Sequence, residues 1–459
     1  MSSLRPIPRP TIPIGAPPAD ISHDEYFDRI AAAQKRFHNF GFDVLVVYAD
    51  RESFADMFFL TGMDPRFEEA IYVLEGSGLG TLLLGNENFA QEPAASLGIR
   101  RRLFQALSPA GQRRDSPARL NEILSEAGVT AGAVVGVAGG KAFAAEYLDD
   151  PSHALSAPGY LVDTLRRLVG TTGDVVNGED LFTSPEDGLR TTSSAHQIAL
   201  FEYAASIASH SVLSGMQHLQ PGSSELELGN RLTDHGLPHS CHTIINFGRR
   251  QGLYSASRNK AELGDAYTIA FGLRGGLTCR AGAIASGPDD LSPPARAVFP
   301  DLVTNYFDVV AAWHEALAVD QTTGSVFAAA NDARDGSLFD FSLNPGHLLH
   351  YEEWSQSTFT EGNTVRLKSG SMVQCDIIPK LELTNVYVNI EDGLALADAE
   401  LRTEIANDYP ELWERVCLRR AYVTDVLGIE LHESVMPMSG IPMWHAPYAL
   451  SPHLGLVRA

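Results

Sequence analysis

The sequence predicts a mixed α and β chain with two domains, preceded by a proline-rich arm at residues 1–20. Its 459 residues exceed the usual size of one domain. Strands and helices alternate from residue 21 to residue 187, which is typical of an α/β domain. Residues 188–459 contain two long helices, each followed by a shorter one, about one hundred residues apart. This recurrence indicates an internal duplication, with a chance similarity between two helical hairpins as the alternative.

The arm and the first domain are predicted from prolines and apolar runs. Six prolines between residues 5 and 18 exclude a helix, so the arm is extended, and either disordered or laid along a neighbouring subunit. The predicted helices run from Asp24 to Phe40 and from Ser53 to Leu60. Buried strands are predicted at 44–48, 71–74, 81–84, 134–137 and 174–177.

Capping signals mark the helices of the second domain. Ser194 and Gln197 have the spacing of a capping box, and Ser224 and Glu227 repeat it before a shorter helix. The second pair of helices is predicted at 295–317, with a kink or a late start at Pro300, and at 325–331. Each pair therefore consists of a long helix, a turn and a short helix.

Composition limits the classes of partner and the compartment. The formal net charge is −23, and such a field repels nucleic acid and anionic membranes. No apolar run reaches the length of a bilayer span, so we expect a cytoplasmic protein that has no membrane partner. The four cysteines, at 241, 279, 375 and 417, form no Cys-x-x-Cys pair, which favours reduced thiols over disulfides or a zinc finger.

Five segments resemble the creatinase/aminopeptidase P/methionine aminopeptidase superfamily in order and separation. They are residues 57–62, 264–272, 278–280, 346–347 and 390–392. The resemblance implies an α+β protein: a creatinase-like N-terminal α/β domain at 21–187 and a C-terminal pita-bread domain at 188–459. In that fold a curved antiparallel sheet lies inside pseudo-twofold helices. The resemblance also implies a homodimer.

The metal ligands of the superfamily are mostly replaced in this chain. Metal-dependent members use two aspartates, a histidine and two glutamates. Here these positions fall on Ala270, Arg280, His347, Ile377 with Asp376 beside it, and Glu391. A methyl group and a guanidinium cannot hold a hard divalent cation, so we expect no metal and no other cofactor.

The residue types at this site suit acid–base chemistry, for which creatinase is a metal-free precedent. We expect His347, Glu391 and Asp376 to be catalytic, with the histidine moving protons. We expect Arg280, His350 and Glu353 to bind substrate, because a guanidinium can grip a carboxylate through two hydrogen bonds.

Each of these residues also has a structural interpretation. His347 could be a hydrogen-bonded core histidine, and Arg280 could neutralise Glu391 in a buried pair. His350 and Glu353 could form an exposed polar face. Cys279 could be an activated nucleophile, although an inert buried thiol is commoner.

Three functions compete on this basis. The first is a metal-independent, creatinase-like hydrolase or lyase that acts on a small polar C–N compound bearing a carboxylate. The second is a non-catalytic binding protein that retains the pita-bread cleft. The third is a metal-dependent Xaa-Pro aminopeptidase-like peptidase with altered ligands.

Overall fold

The computed structural model describes residues 2–90, 98–248, 252–382 and 385–458. The chain divides into two compact units, one of residues 20–191 and one of residues 1–19 together with 192–459. Within these described ranges, no helix is long and apolar enough to cross a bilayer.

The proline-rich arm is ordered against its own chain. Strand β1 (Ser2–Pro6) pairs antiparallel with the last strand, residues 454–458. The backbone N–H and hydroxyl of Ser2 both donate to Asp308 Oδ1, at 2.8 and 2.7 Å. Ile12 is buried. The expectation of a disordered arm is therefore wrong, because strand pairing and apolar burial fix the arm to residues 192–459 of its own chain.

The unit of residues 20–191 is an α/β unit with a six-stranded mixed sheet of order β5-β4-β3-β2-β6-β7. Its strands are β2 (Val44–Ala49), β3 (Ala70–Glu75), β4 (Thr81–Leu84), β5 (Arg100–Leu103), β6 (Val134–Ala138) and β7 (Asp174–Asn177). Its helices are α1 (His23–Asn39), α2 (Ala55–Thr61), α3 (Leu120–Glu126), α4 (Gly159–Val169) and α5 (Asp180–Thr183). The strands predicted from apolar runs are all present, because strands that are buried on both faces of a sheet consist of continuous apolar residues.

The second unit alternates helices with antiparallel strands. Its helices are α6 (Ala195–His218), α7 (Glu225–Gly229), α8 (Pro293–Ala316), α9 (Thr323–Ala333), α10 (Ala399–Asp408) and α11 (Pro410–Ala421). Its strands are β8 (Ile244–Phe247), β9 (Ala266–Leu273), β10 (Gly276–Ala283), β11 (Asp340–Phe341), β12 (His347–Leu348), β13 (Met372–Cys375), β14 (Pro379–Lys380), β15 (Asn389–Leu396), β16 (Val435–Pro437) and β17 (Leu454–Arg458).

The capping signals mark helix starts correctly. The Ser194 hydroxyl accepts the Gln197 N–H, and Ser224 forms a complete capping box with Glu227. Helix α8 starts at Pro293 and includes Pro300, so the late start is wrong. Both long helices have 24 residues and each precedes a shorter one, as the predicted duplication requires.

A curved antiparallel sheet lies at the centre of this unit, with strand order β12-β13-β15-β10-β9-β8 and β16 paired to β15. On its outer face, one apolar cluster packs around α6 and includes Tyr267, Ile269 and Phe271 of β9. A second packs around α8 and includes Ile390 of β15. Because side chains of a strand alternate between faces, the residues between these apolar positions point to the inner face. The outer face is thus the core and the inner face carries the candidate site.

Candidate functional site

A row of inward side chains crosses four strands of the sheet. Ile244 pairs with Ala270, Ala270 pairs with Cys279, and Cys279 pairs with Glu391. Ile244, Ala270 and Cys279 form one small apolar cluster, and Glu391 is the cross-strand neighbour of Cys279. The row is apolar or weakly polar over three strands and ends in a carboxylate.

Strand β12 presents His347 to this carboxylate. Gly346 has φ +114°, and a Cβ on it would lie 2.9 Å from the Trp313 ring, so glycine is required here. His347 Nδ1 donates to the Leu348 carbonyl at 3.2 Å, which leaves Nε2 directed into the site. The Trp354 ring stacks on the imidazole with 4.1 Å between centroids. The hydrogen bond at Nδ1 and the stacked Trp354 ring therefore fix the orientation of the His347 imidazole.

His347, Asp376 and Glu391 form a compact group of ligand atoms. His347 Nε2 lies 3.9 Å from Asp376 Oδ2 and 3.9 Å from Glu391 Oε1. One ligand atom from each residue lies within 4.8 Å of the others. These separations are too long for hydrogen bonds. They are close to the roughly 3–4 Å between atoms that bind one ion at bond lengths near 2.1 Å.

Burial and repulsion from nearby carboxylates disfavour the ionised forms of both carboxyls in this group. Burial, and next the nearby Glu391 carboxylate, raise the pKa of Asp376 to about 8. Burial, and next Glu353, raise the pKa of Glu391 to about 8. Burial lowers the pKa of His347, so its neutral form is favoured. Asp376 Oδ1 has no hydrogen-bond partner among the described residues.

The group lies at the wall of a cavity of about 500 Å³. Its polar lining includes the three residues above together with Cys241, Thr268, Glu353, Lys380 and Asn389. Its apolar lining includes Ile244, Leu253, Ala270, Leu277, Leu343, Trp354, Ile378, Leu381 and Tyr387. Four of the six expected site residues, His347, Glu353, Asp376 and Glu391, therefore meet in one cavity.

Arg280 does not line this cavity, contrary to its expected role as an anion clamp. It is fully buried on the outer face, where it pairs with Asp392 Oδ2 at 2.6 Å. Its remaining N–H groups donate to the backbone carbonyls of Cys279, Glu391, Ile441 and Trp444, so all five donors are used. The guanidinium has no donor left for a substrate. The structure agrees better with the interpretation of Arg280 as half of a buried ion pair, although its partner is Asp392 instead of Glu391.

His350 is likewise turned away from the cavity lining. Its Nε2 lies 2.9 Å from the Gln197 amide nitrogen on α6, and its ring meets Phe201 edge to face. These contacts connect the strand region to a helix, which is a packing role. The expected role of His350 in substrate binding does not agree with this position.

Comparisons with solved structures agree with this architecture. A prolidase from Thermococcus sibiricus has TM-score 0.62 and 18% identity, over 83% of this chain and 96% of its own. A prolidase from Pyrococcus horikoshii OT3 has TM-score 0.60 and 14% identity, over 81% and 95%. An X-Pro aminopeptidase from Thermotoga maritima MSB8 has TM-score 0.60 and 13% identity, over 80% and 95%. No protein-family model and no curated protein sequence matches the chain.

The chain has the creatinase/aminopeptidase P fold. The fold was predicted from the five sequence segments, and it is confirmed. At these identities the likeness shows the fold alone. The pita-bread sheet also corrects two of the aligned positions, because only an inward side chain reaches the cavity. On β10 the inward residue is Cys279 instead of Arg280, and after β13 it is Asp376 instead of Ile377, which is buried under α8.

Sequence reasoning missed several lining residues of the pita-bread cavity. Thr268 and Asn389 lie two positions before Ala270 and Glu391 on the same strands, so the period of two would have placed them on the inner face. Cys241 and Trp354 lie in irregular segments, for which no periodicity exists. Only contact through the fold identifies those two.

The position of Arg280 predicts a structural phenotype. Arg280→Met should leave the Asp392 carboxylate buried without its cation and lower the free energy of unfolding by about 3–5 kcal/mol. Denaturant unfolding of Arg280→Met and of Arg280→Met/Asp392→Asn measures this, and the double variant should recover part of the loss. A stable Arg280→Met protein with only ligand binding impaired would restore the anion-clamp role.

The raised pKa values predict how stability depends on pH in protein stripped of divalent ions. Asp and Glu release their protons near pH 4 when unfolded, but these two release them near pH 8 when folded. Between these values the folded state holds more protons, so stability falls as pH rises, by at most about 1.4 kcal/mol per pH unit for one group. Melting temperatures at pH 5, 7 and 9 should decline more steeply for the wild type than for Asp376→Asn. Equal slopes would contradict the assigned burial effect.

Proposed function

We propose that the cavity binds one divalent cation through His347, Asp376 and Glu391, and that the chain hydrolyses a C–N bond of amide type in a small substrate. One observation carries the proposal. Three buried side chains of ligand type converge within 4.8 Å, and no lysine or arginine in the described ranges forms a salt bridge with either carboxylate. Such a group is stabilised by a cation.

The residues present fit a metal ion. Asp376 and Glu391 are each only 6% exposed, and Asp376 Oδ1 has no partner in the described part of the chain. A cation would restore the ionised form of both carboxyls by replacing an absent positive charge. Neutral imidazole is the ligand form of histidine, and burial already favours it here. A mixed nitrogen and oxygen set suits zinc, manganese, iron or cobalt better than calcium.

The cation and the chain have separate tasks in this proposal. When bound, such an ion would polarise a substrate carbonyl and make water more acidic. The chain supplies the proton acceptor, for which we infer Glu353. Its Oε2 is buried without a hydrogen-bond partner among the described residues, and Cys241 forms a hydrogen bond with its side chain. Oε2 is thus the oxygen that we infer accepts the proton.

The reaction balances with Glu353 as a proton carrier. Water oxygen bonds to the carbonyl carbon, and its proton passes to the Glu353 carboxylate. As the C–N bond breaks, the same proton moves to the leaving nitrogen, which departs as an amine. The carboxylate is regenerated in each cycle.

The cavity limits the substrate to a small molecule. A volume of about 500 Å³ lies within the usual range for small-molecule sites. Lys380 is the positively charged lining residue among those described, so a substrate carboxylate would pair with Lys380 instead of Arg280. Dipeptides and short acylated amines have this size and these groups, and the prolidase and X-Pro aminopeptidase among the structural neighbours are in keeping with them.

A second candidate function is metal-free acid–base chemistry, which was the first expectation from the sequence. It is favoured by one observation: two carboxyls with pKa values near 8 beside a neutral histidine can exchange protons near neutral pH. A binding protein without turnover would share the cavity but not the need for Glu353. Metal content and turnover separate these possibilities.

Metal content tests the first half of the proposal. Protein purified without chelator should contain about one divalent ion per chain by elemental analysis, because three ligands converge on one position. His347→Ala should bind the ion at least about 10-fold more weakly. His432→Ala, which alters an exposed histidine, is the matched control and should retain the ion. A metal-free wild type after incubation with zinc, manganese or cobalt would favour the acid–base candidate.

Turnover tests the second half. In a screen of dipeptides and acylated amines, Glu353→Gln should lower kcat for any hydrolysed substrate by about 10²–10⁴-fold, because the amide accepts no proton. The ion content should not change. Glu352→Gln is the neighbouring control and should retain activity. Undiminished turnover in Glu353→Gln would refute the assigned role, and no turnover of any compound by a metal-loaded wild type would favour the binding protein.

A further inference from the structure

We propose that the Cys279 thiolate is a fourth ligand of the cation, so that the site is a sulfur-containing centre selective for zinc-like ions. This inference rests on the proposed cation site. It concerns a residue outside the compact group of three, and it changes the class of metal that the cavity selects.

Strand register places Cys279 beside the group. It pairs directly with Glu391 on the neighbouring antiparallel strand, and side chains so paired have Cβ atoms about 4.5–5.5 Å apart. Both residues line the cavity. Cys279 also packs with Ile244 and Ala270 of the inner row, so its side chain lies on the cavity face of the sheet. Cys279 is thus the inward cross-strand neighbour of one of the three proposed ligands.

The sulfur has no competing role in the fold. Cys279 forms no disulfide, and its apolar neighbours in the row are Ile244 and Ala270. Its Sγ is not one of the three atoms that lie within 4.8 Å of one another. A change of χ1 rotamer moves a cysteine sulfur by roughly 3 Å, and the proposal requires that such a change brings the Cys279 sulfur to the cation.

Binding would exchange a proton for a metal bond. On binding, the thiol S–H bond would break, its proton would pass to solvent, and the thiolate sulfur would supply an electron pair to the cation. A thiolate is a soft ligand, so it favours zinc or cobalt over magnesium, calcium or manganese.

Cys241 provides a matched comparison within the same cavity. It also lines the cavity, but its side chain bonds to Glu353, and it lies over Gly272 of β9. Gly272 lies on β9, two positions from Ala270. Strand β10 separates β9 from β15, which carries Glu391. Cys375 is also buried, but it belongs to the outer cluster under α8. Of these three buried or partly buried thiols, the register places Cys279 beside the ligands.

Cobalt(II) substitution of the full chain tests the inference without an enzymatic substrate. Bound cobalt should give a sulfur-to-cobalt charge-transfer band in the near ultraviolet, together with weaker visible bands. Cys279→Ser should lose the ultraviolet band and bind cobalt about 10–100-fold more weakly. Cys241→Ser should keep both. Cys279→Asp, which restores an oxygen ligand, should bind cobalt without the ultraviolet band and shift preference toward manganese.

The outcomes distinguish the two levels of the proposal. Visible cobalt bands without a charge-transfer band in the wild type would overturn the thiolate ligand and leave the proposed cation site intact. A band that disappears in Cys241→Ser but persists in Cys279→Ser would also overturn it, by assigning the sulfur to Cys241. Failure of wild-type protein to bind cobalt or zinc, with circular dichroism showing a folded chain, would overturn both proposals.

Discussion

The site depends on the separation of two adjacent carboxylates, Glu391 and Asp392, onto opposite faces of β15. Asp392 points outward and is neutralised by Arg280, whose other donors tie together the backbone of β10, β15 and the segment after β16. Glu391 points inward, where it meets Asp376 and His347. Strand alternation therefore gives one carboxylate a permanent cation inside the core and leaves the other without one.

This separation determines what the inner face can do. A buried carboxylate without a partner is costly, so the charge must be removed by protonation or balanced by a cation. The pKa values near 8 correspond to removal of the charge by protonation, and the three convergent ligands correspond to its balance by a bound cation. Both arise from the same geometry. Because the hydrogen-bond donors of Arg280 are all used on the outer face, its charge only partly opposes the effect of burial, which is the largest influence on the pKa of Glu391.

The fold could be predicted from the sequence, but it was harder to predict on which face of a strand a motif residue lies. Helix starts at Ser194 and Ser224 follow from capping chemistry, which is local. His347 and Glu391 follow from motif order, and Asp376 and Glu353 from their carboxylates. Arg280 was misplaced because a shift of one residue moves a side chain to the other face. The apolar series at 267, 269 and 271 marks the outer face of β9, and the hairpin pairing transfers that information to β10. His350 required the tertiary contact with Gln197, which no local pattern encodes.

The inner row also argues for one ion instead of two. Two cations held close together need ligands on both sides, and the position beyond Cys279 in the row is the Ala270 methyl, followed by Ile244. These groups supply no electron pair, so the cavity has a ligand-bearing end and an apolar end. With a single cation, the second polarising charge is absent, and a protein group must receive the proton from water. In the proposed reaction that group is Glu353, the lining carboxylate outside the proposed ligands, whose Oε2 has no hydrogen-bond partner within the described ranges.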